Sequence, residues 1–265
     1  MVISISTANL YFIPFEKTLE IYKKAGFEYI ELAGYWKGGE WEIAQHLKGM
    51  KPRDVIRLVR DYGLKISSFH DMGGVVEDGA ESIVSDLTYE YLEHYDFPCL
   101  VFHAPCKKNS NADWWSEYKS KAIADLQQFT ADRLVCIENL FEINGYYMSL
   151  VPPEELYEFV DNANIYVNAD ITHFPQAKTD LLHAADVLGD KIRTVHLSDF
   201  KDGKVHLFPG DGALDFKGFF DRVNLNKLHA VTIECSLMDK TKNEQATIER
   251  AKAARVFIEN LQNNN

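Results

Sequence analysis

Cysteine is scarce in this 265-residue sequence, and its four copies show no Cys-x-x-Cys spacing. Three of the four lie within or beside short apolar runs, which favours free, buried thiols over disulfides. The sequence also lacks an apolar run of the ~18 residues that a membrane helix needs. Its first residues show neither a basic segment before an apolar core nor a small-residue cleavage site, so no secretory signal is predicted and a cytoplasmic location is the default expectation.

Positive charge is also in short supply. The chain has 28 Lys and Arg residues against 40 Asp and Glu residues, which gives a formal net charge of −12 at pH 7. Phosphate-rich partners are attracted largely by local positive charge, so nucleic acid and anionic membranes are unfavourable partners. Apolar content is ordinary, with 46% hydrophobic residues, and it suffices for one sizeable core. We therefore expect a small-molecule partner, and homo-oligomers remain open.

Short apolar runs of strand type alternate along the whole chain with longer segments of helical period, which predicts βα units and a parallel sheet. The predicted strands are 2–6, 29–33, 65–70, 99–103, 134–139, 165–171, 192–198 and 230–235. Eight such units, in a chain near the ~250 residues typical of the fold, predict a single-domain α/β protein with a (β/α)8 TIM barrel. A doubly wound sheet is the main rival, but the glycine fingerprint that usually follows its first strand is missing. The barrel is expected to span 1–262, with a disordered tail at 263–265.

Segments of helical period fill the intervals between these strands. The predicted helices are 15–25, 52–62, 82–95, 114–131, 153–162, 177–188 and 244–261, with a weaker candidate at 216–223. Pro52 and Pro153 suit first-turn positions, and Gly26 and Gly63 suit the C-terminal ends of helices. The stretch 34–51 fits neither period and is expected to be an irregular insertion with one short helix.

Six of the predicted strands carry a side chain able to bind a metal near their C-terminal ends. These residues are His70, His103, Glu138, Asp170, His196 and Glu234. Successive members lie 33, 35, 32, 26 and 38 residues apart, close to the 33 or so residues of one βα unit in an eightfold chain of this length. This spacing is what a ring of side chains around a barrel mouth produces. Glu31, 39 residues before His70, fits the same ring.

Strand parity agrees with an inward-facing ring, because alternate side chains of a strand point to opposite faces. In the predicted strand 134–139, Val135 and Ile137 share one face, and Cys136 and Glu138 share the other. The strands that end in His103, Asp170, His196 and Glu234 repeat this alternation. The apolar face is expected to pack beneath the helices, so one metal-binding side chain per strand turns inward.

A cluster of buried carboxylates costs several kcal/mol per uncompensated charge unless protons or a cation neutralise it. A divalent cation is the natural solution. Its expected ligands are the carboxylate oxygens of Glu138, Asp170 and Glu234 and one histidine nitrogen. This mixed oxygen and imidazole set suits Mn²⁺, Mg²⁺ or Co²⁺, and Zn²⁺ is also compatible with it.

Five segments of the chain resemble the xylose isomerase-like TIM-barrel superfamily. They are 136–139 (CIEN), 168–173 (NADITH), 195–199 (VHLSD), 209–212 (PGDG) and 233–235 (IEC), in the order of the family. Within it the chain is most similar to the sugar isomerase and epimerase branch, with relatives of D-tagatose 3-epimerase, hydroxypyruvate isomerase and inosose dehydratase. The resemblance implies an isomerase of carbohydrate metabolism. It also implies one divalent metal held by Glu138, Asp170, His196 and Glu234. The enzyme would act through a metal-stabilised enediolate, with Glu138 and Glu234 as the catalytic acid/base pair.

The resemblance also implies that His173 contacts substrate, because it matches a histidine that contacts a substrate oxygen in the epimerases. We expect His70, His103 and His206 to bind substrate as well. Trp114 lies on a predicted strand-to-helix loop with other aromatic residues and is expected to cover the apolar face of a sugar. Asp199 is a candidate for orienting His196 through a hydrogen bond, although a surface turn explains it equally well.

Two alternatives to a sugar isomerase or epimerase stay open. Endonuclease IV, a DNA-repair member of the superfamily, adds further histidines and an aspartate for a trinuclear zinc centre. The histidines His70, His103, His173 and His206 match its additional ligands. Its remaining aspartate falls at Lys204, and this departure, with the net charge of −12, argues against an abasic-site nuclease. The other alternative is a non-catalytic sugar-binding barrel. The identity of the sugar, and whether it is phosphorylated, stay open.

Overall fold

The computed structural model describes residues 1–38, 41–76, 82–237 and 243–263. Eight parallel strands form one sheet. They are β1 (Val2–Ile5), β2 (Tyr29–Ala33), β3 (Lys65–Asp71), β4 (Cys99–His103), β5 (Leu134–Glu138), β6 (Tyr166–Asp170), β7 (Ile192–Leu197) and β8 (Ala230–Ile233). Their order in the sheet is β1-β8-β7-β6-β5-β4-β3-β2. A parallel bridge between Ser6 and Glu31 brings the two edges together. The predicted (β/α)8 barrel is confirmed, and all eight strands lie where the sequence predicts them.

The two faces of the barrel sheet pack in two different apolar clusters, one beneath the helices and one inside the barrel. Val135 and Ile137 belong to the large core cluster beneath the helices. Cys136 joins Cys99 and Val101 in a small cluster of its own, with all three side chains fully buried. The predicted parity of the strands is therefore confirmed. It turns Glu138, two residues beyond Cys136, toward the barrel axis.

The barrel helices in the described residues largely follow the prediction. They are α1 (Phe15–Lys24), α2 (Pro52–Asp61), α3 (Asp86–Leu92), α4 (Ala112–Gln127), α5 (Pro153–Ala163), α6 (Leu181–Leu188), α7 (Phe216–Phe220) and α8 (Glu244–Asn263). Pro52 and Pro153 occupy first turns as predicted. Gly26 and Gly63 adopt φ values of 85° and 66° just after α1 and α2, as helix-ending glycines do. Asn263 belongs to α8, whereas the rest of the predicted tail lies outside the described residues.

Several helix boundaries differ from the prediction, and at the starts of α4 and α6 the reason is a side-chain cap. Helix α4 begins two residues early, since Asn111 accepts hydrogen bonds from the amides of Asp113 and Trp114. Helix α6 begins four residues late, because Asp180 caps it through the amide of His183. A separate helical turn, His173–Gln176, precedes it. Helix α3 covers only the middle of the predicted 82–95, beginning after Ser85.

Short antiparallel strand pairs lie beyond several strands at the C-terminal end of the barrel. The pairs are Trp36–Gly38 with Trp41–Ile43, Cys106–Lys108 with Tyr146–Met148, and Asp199–Lys201 with Lys204–Leu207. The first hairpin and a 3-10 turn at Gln45–Leu47 form much of the predicted irregular insertion. The four cysteines are buried and free, as predicted. None of the helices in the described ranges is both long and apolar enough to cross a membrane.

Candidate metal centre and active site

The predicted ring of side chains is assembled at the C-terminal end of the barrel. The four predicted metal ligands come from β5, β6 and β7 and from the residue that follows β8. They are Glu138, Asp170, His196 and Glu234, and one ligand atom from each lies within 4.8 Å of the others. Parallel strands place their carboxyl ends at one mouth, which is why residues spread over almost a hundred positions meet here.

His196 stands at the centre of this cluster. Its Nδ1 atom lies 2.5 Å from Glu234 Oε2 and 3.1 Å from Glu138 Oε2. Glu138 Oε2 also accepts a hydrogen bond of 3.0 Å from Asn168 Nδ2. The imidazole therefore holds together two of the three predicted carboxylate ligands.

Asp170 is oriented by the turn that follows it. Its Oδ1 atom accepts hydrogen bonds of 2.8 Å from the amide of Thr172, 2.8 Å from the hydroxyl of Thr172 and 3.2 Å from the amide of His173. These bonds use one carboxylate oxygen and leave Oδ2 directed into the cluster. The local NADITH sequence thus supplies both the ligand and the turn that positions it.

The donor set fits a divalent cation. Among the described residues, Asp170 Oδ2 is a buried ligand atom without a hydrogen-bond partner. His196 Nδ1 and Glu234 Oε2 form a close ion pair with each other. Buried polar atoms are rarely left unsatisfied, so a bound cation would fit the unsatisfied donor atom of Asp170 and the acidic groups beside it. Carboxylate oxygens with one imidazole nitrogen form a set that Mn²⁺, Mg²⁺, Co²⁺ and Zn²⁺ can all use.

The electrostatics of the metal-free cluster point the same way. Burial, the largest single influence, would raise the pKa of Glu138, but the charges of His196 and His70 and the hydrogen bond with His196 together hold it well below its usual range. The pKa of Glu234 is lowered by the same imidazole against the same effect of burial. Burial would lower the pKa of His196, yet Glu234, Glu31 and Glu138 raise it well above its usual value. An imidazolium thus neutralises the acids here, and a metal must displace its Nδ1 proton to bind.

His70 and His103 form a second group beside Glu138. His70 Nε2 lies 3.2 Å from Glu138 Oε2, and its ring meets that of His103 edge to face with centroids 4.8 Å apart. His103 Nδ1 lies 2.9 Å from the carbonyl oxygen of Gly73, which makes Nδ1 the protonated nitrogen. Burial lowers the pKa of His103 to about 4. It is therefore a neutral imidazole whose Nε2 is available to a ligand.

His173 and His206 form a third group with Asp170. His173 Nδ1 lies 2.9 Å from the carbonyl oxygen of Asn139, and its Nε2 lies 3.3 Å from His206 Nε2. His206 adopts φ 54°, a left-handed conformation that is rare for a residue with a side chain. Such strained residues cluster at functional sites, where the surrounding structure holds them in place.

A cavity of about 230 Å³ opens above these groups. Its floor is polar and contains His103, Glu138, His173, His206 and Glu234. Its other lining side chains are mostly apolar, namely Ile43, Met72, Val75, Leu140, Phe141, Ile143 and Met148. No Lys or Arg is among the described residues that line it. The cavity thus presents a polar, acidic floor and apolar walls.

The structure places two of the predicted substrate contacts away from this cavity. His70 is fully buried beneath the floor and contacts Glu31 and Glu138. Trp114 lies in the first turn of α4 and stacks on Tyr118 with ring centroids 5.4 Å apart. Neither is among the described residues that line the cavity, whereas His103, His173 and His206 are.

The hypothesis that Asp199 orients His196 is wrong. Its carboxylate accepts hydrogen bonds from four backbone amides of the loop that follows β7, those of Phe200, Gly210, Gly212 and Leu214. Asp199 therefore organises that loop. The carboxylate that faces the outer nitrogen of His196 belongs to Glu31, on β2. The position of Glu31 in the ring was visible in the sequence, but its partner was not.

Comparisons with known proteins agree with this architecture. A family model described as a xylose isomerase-like TIM barrel matches residues 19–259. A search of curated proteins found no significant match. Among solved structures, the IOLI protein with a zinc atom aligns at 18% identity and a TM-score of 0.72, covering 97% of this chain and 98% of that one.

Two further solved structures give similar values. An L-ribulose 3-epimerase aligns at 18% identity and a TM-score of 0.67, covering 98% of this chain and 94% of that one. A xylose isomerase domain protein from Alicyclobacillus acidocaldarius subsp. acidocaldarius aligns at 15% identity and a TM-score of 0.69, with 98% of both chains covered. At such identities the likeness shows the fold alone.

Proposed function

This chain belongs to the xylose isomerase-like TIM-barrel family, and on that premise we propose that it is a divalent-metal-dependent sugar isomerase or epimerase. The observation that carries the proposal is the pair of carboxylates Glu138 and Glu234. They line one cavity from β5 and from the end of β8, and both contact His196. Two carboxylates that line one small cavity suit the removal and return of a substrate proton.

The residues that would hold the cation are Glu138, Asp170, His196 and Glu234. A divalent cation bound there would supply positive charge that polarises a carbonyl group and stabilises an enediolate. Mn²⁺, Mg²⁺ and Co²⁺ suit this ligand set best, and Zn²⁺ also fits it. The buried Oδ2 atom of Asp170, which has no hydrogen-bond partner, supports this assignment.

The chain's own part in the reaction is proton transfer. One glutamate removes the proton from the carbon next to the carbonyl, and the electron pair of the broken C–H bond enters the enediolate. The other glutamate, or the same one, returns the proton. Return to the opposite face of the same carbon gives an epimer, and return to the neighbouring carbon gives an aldose–ketose isomer. Glu138 and Glu234 would both stay ionised beside a bound cation, which a base requires.

The cavity supports a compact and uncharged substrate. Its volume of about 230 Å³ lies below the ~300 Å³ of ordinary ligand pockets. His103, His173 and His206 offer imidazole nitrogens to hydroxyl groups on the polar floor. No cationic side chain lines the described part of the cavity to pair with a phosphate, which favours an unphosphorylated sugar.

The experiment that tests the proposal combines metal analysis with proton exchange. The metal-loaded protein is incubated in deuterated water with a panel of ketoses and aldoses, and deuterium incorporation is followed by NMR. We expect exchange at the carbon next to the carbonyl of at least one sugar. In Glu138→Gln and Glu234→Gln it should fall by about 10²–10⁴-fold with the fold intact. The control Glu90→Gln, on the exposed surface of α3, should match the wild type. Full exchange in both active-site variants would refute the roles of the glutamates.

One observation favours a second candidate, an abasic-site endonuclease. Three additional ligand groups share residues with the first, namely His70, His103 and Glu138; Asp170, His173 and His206; and Glu31, His70, His196 and Glu234. Against it, Lys204 is exposed on a rim hairpin where that nuclease has its remaining acidic ligand. Incision of abasic DNA with about three metals per chain would favour the nuclease. A non-catalytic sugar-binding barrel would instead show sugar-induced thermal stabilisation without exchange.

A further inference from the structure

A fifth acidic residue, Glu31, lies behind the proposed metal ligands rather than among the lining of the cavity. It sits on β2 with its side chain fully buried. Both of its oxygens face the outer nitrogen of His196, with Nε2 at 3.0 Å from Oε1 and 3.2 Å from Oε2. The other nitrogen of His196, Nδ1, faces Glu138 and Glu234. The imidazole is thus placed between a carboxylate on one side and the proposed metal site on the other.

This arrangement determines which nitrogen of His196 can bind a cation. A ligand nitrogen needs a free electron pair, so Nδ1 must be unprotonated and the ring proton must sit on Nε2. A carboxylate that accepts the Nε2 proton fixes this tautomer, orients the ring and makes Nδ1 a stronger donor. We propose that Glu31 is a positioning residue that holds His196 ready for a divalent cation. The inference rests on the metal site of the proposed function but not on the reaction.

The surroundings of Glu31 hold its carboxylate in place. Ser68 Oγ donates a 2.9 Å hydrogen bond to Glu31 Oε2, and Ser67 bonds to the carbonyl oxygen of Ile30 at 3.0 Å. Ser67 Oγ also lies 2.8 Å from Ser4 Oγ, which ties β3 to β1. Glu31 itself forms the bridge at which the barrel closes. A carboxylate in such a network has little freedom to move, as positioning of a ligand requires.

Glu31 reaches a second imidazole as well. His70 Nδ1 lies 3.6 Å from Glu31 Oε1, and His70 Nε2 lies 3.2 Å from Glu138 Oε2. One buried carboxylate therefore stands behind two histidines, and both of these contact the ligand Glu138. Loss of its charge should loosen His196 directly and Glu138 indirectly through His70.

The test measures Co²⁺ binding, because the visible absorption bands of Co²⁺ report the ligand geometry. Glu31→Gln keeps the shape of the side chain but removes its charge. We expect it to weaken Co²⁺ affinity by about 10–100-fold in calorimetric titration and to alter the absorption bands at saturating Co²⁺. Ser68→Ala removes only the support of Glu31 and should weaken affinity in the same direction by less. These readouts do not depend on any sugar.

A matched control lies at the end of the neighbouring strand. Asp71 is another buried carboxylate, but its Oδ2 accepts hydrogen bonds from Ser85 and Thr88 at the start of α3. Asp71→Asn should lower the melting temperature and leave Co²⁺ affinity and absorption unchanged. A purely structural role of Glu31 would give the same pattern.

Each outcome decides the inference. It is overturned if the wild type does not bind Co²⁺, or if Glu31→Gln binds Co²⁺ within twofold of the wild type with an unchanged spectrum. If Glu31→Gln does not fold, Ser68→Ala decides, and wild-type affinity in that variant overturns the inference. A wild type that binds Co²⁺ but exchanges no proton with any sugar refutes the proposed function only.

Discussion

The two ends of the barrel interior differ sharply although the same strands build them. At the lower level, Cys99, Val101 and Cys136 form an apolar cluster with no exposed surface. Two residues further along β4 and β5, His103 and Glu138 pair in register at the mouth. Strand parity sends both levels inward, so only the residue types differ. The barrel therefore tolerates buried charge at the mouth, because imidazoles and a cation-binding geometry compensate for it there.

The largest effect is expected when a carboxylate is placed in the apolar cluster inside the barrel. Cys136→Asp buries a charge beside Cys99 and Val101, with neither an imidazole nor a cation geometry to compensate for it. We expect a loss of about 3–5 kcal/mol in the free energy of unfolding, which lowers the melting temperature by roughly 10 °C. Thermal denaturation by circular dichroism measures it. The control Cys136→Ala should lose clearly less, and equal losses in the two variants would contradict the account.

The second test adds a divalent cation, which should bind the acidic cluster at the mouth. A divalent cation at a hundred times its Kd should stabilise the protein by about 2.7 kcal/mol. At a fixed concentration of the cation, this stabilisation should grow as pH rises above about 6.5. The raised pKa of His196 makes a stabilising contribution that is full below about 6.5, its value in the unfolded chain, and is lost as pH rises. Metal binding needs His196 without its Nδ1 proton, so rising pH favours the metal-bound form. Melting curves with and without Mn²⁺ measure the difference, and a shift independent of pH would contradict this account.

A smaller effect is expected from a change in the loop that positions His103 at the mouth. Gly74 has φ 108°, and a Cβ added there would lie 2.7 Å from the Cβ of His103. Gly74→Ala should therefore cost about 1–3 kcal/mol in unfolding free energy and displace the imidazole of His103. Gly145 also has a positive φ, but a Cβ there meets nothing within 4 Å, so Gly145→Ala is the matched control for backbone strain alone. Similar losses in both variants would show that the contact with His103 has no role.

A last and similarly modest test concerns His46, which lies outside the barrel interior and stacks on Phe15. Burial lowers the pKa of His46 to about 4. Its contribution to stability is therefore full above about pH 6.5 and declines as pH falls toward 4, by up to about 3 kcal/mol. His46→Phe should resist mild acid better than the wild type in urea denaturation at pH 5. Equal acid sensitivity would contradict the buried, neutral state of this ring.

The barrel and its ring of ligands could be predicted because both depend on short-range regularities. The period of about 33 residues and the alternation around Cys136 and Glu138 are properties of single βα units. Parallel pairing then brings the strand ends together at one mouth. No long-range contact had to be known, so the residues at the mouth could be named from the sequence.

The partner of His196 could not be predicted because it depends on how the barrel closes. Asp199 is near His196 in sequence, yet its carboxylate is taken up by backbone amides of its own loop. Glu31 is 165 residues away and reaches His196 only once β1 and β2 meet. The starts of α4 and α6 depended on caps from Asn111 and Asp180, which a helical period does not reveal. The short strand pairs at the barrel mouth were missed because strands of three or four residues carry too little alternation.

The most direct test of the metal centre is anomalous diffraction from crystals grown with Mn²⁺. The account predicts one strong peak per chain, within bonding distance of Glu138, Asp170 and Glu234 and of the Nδ1 atom of His196. It also predicts that Glu31 contacts Nε2 of the same ring and not the ion. A peak elsewhere, or no peak at saturating Mn²⁺, would contradict it.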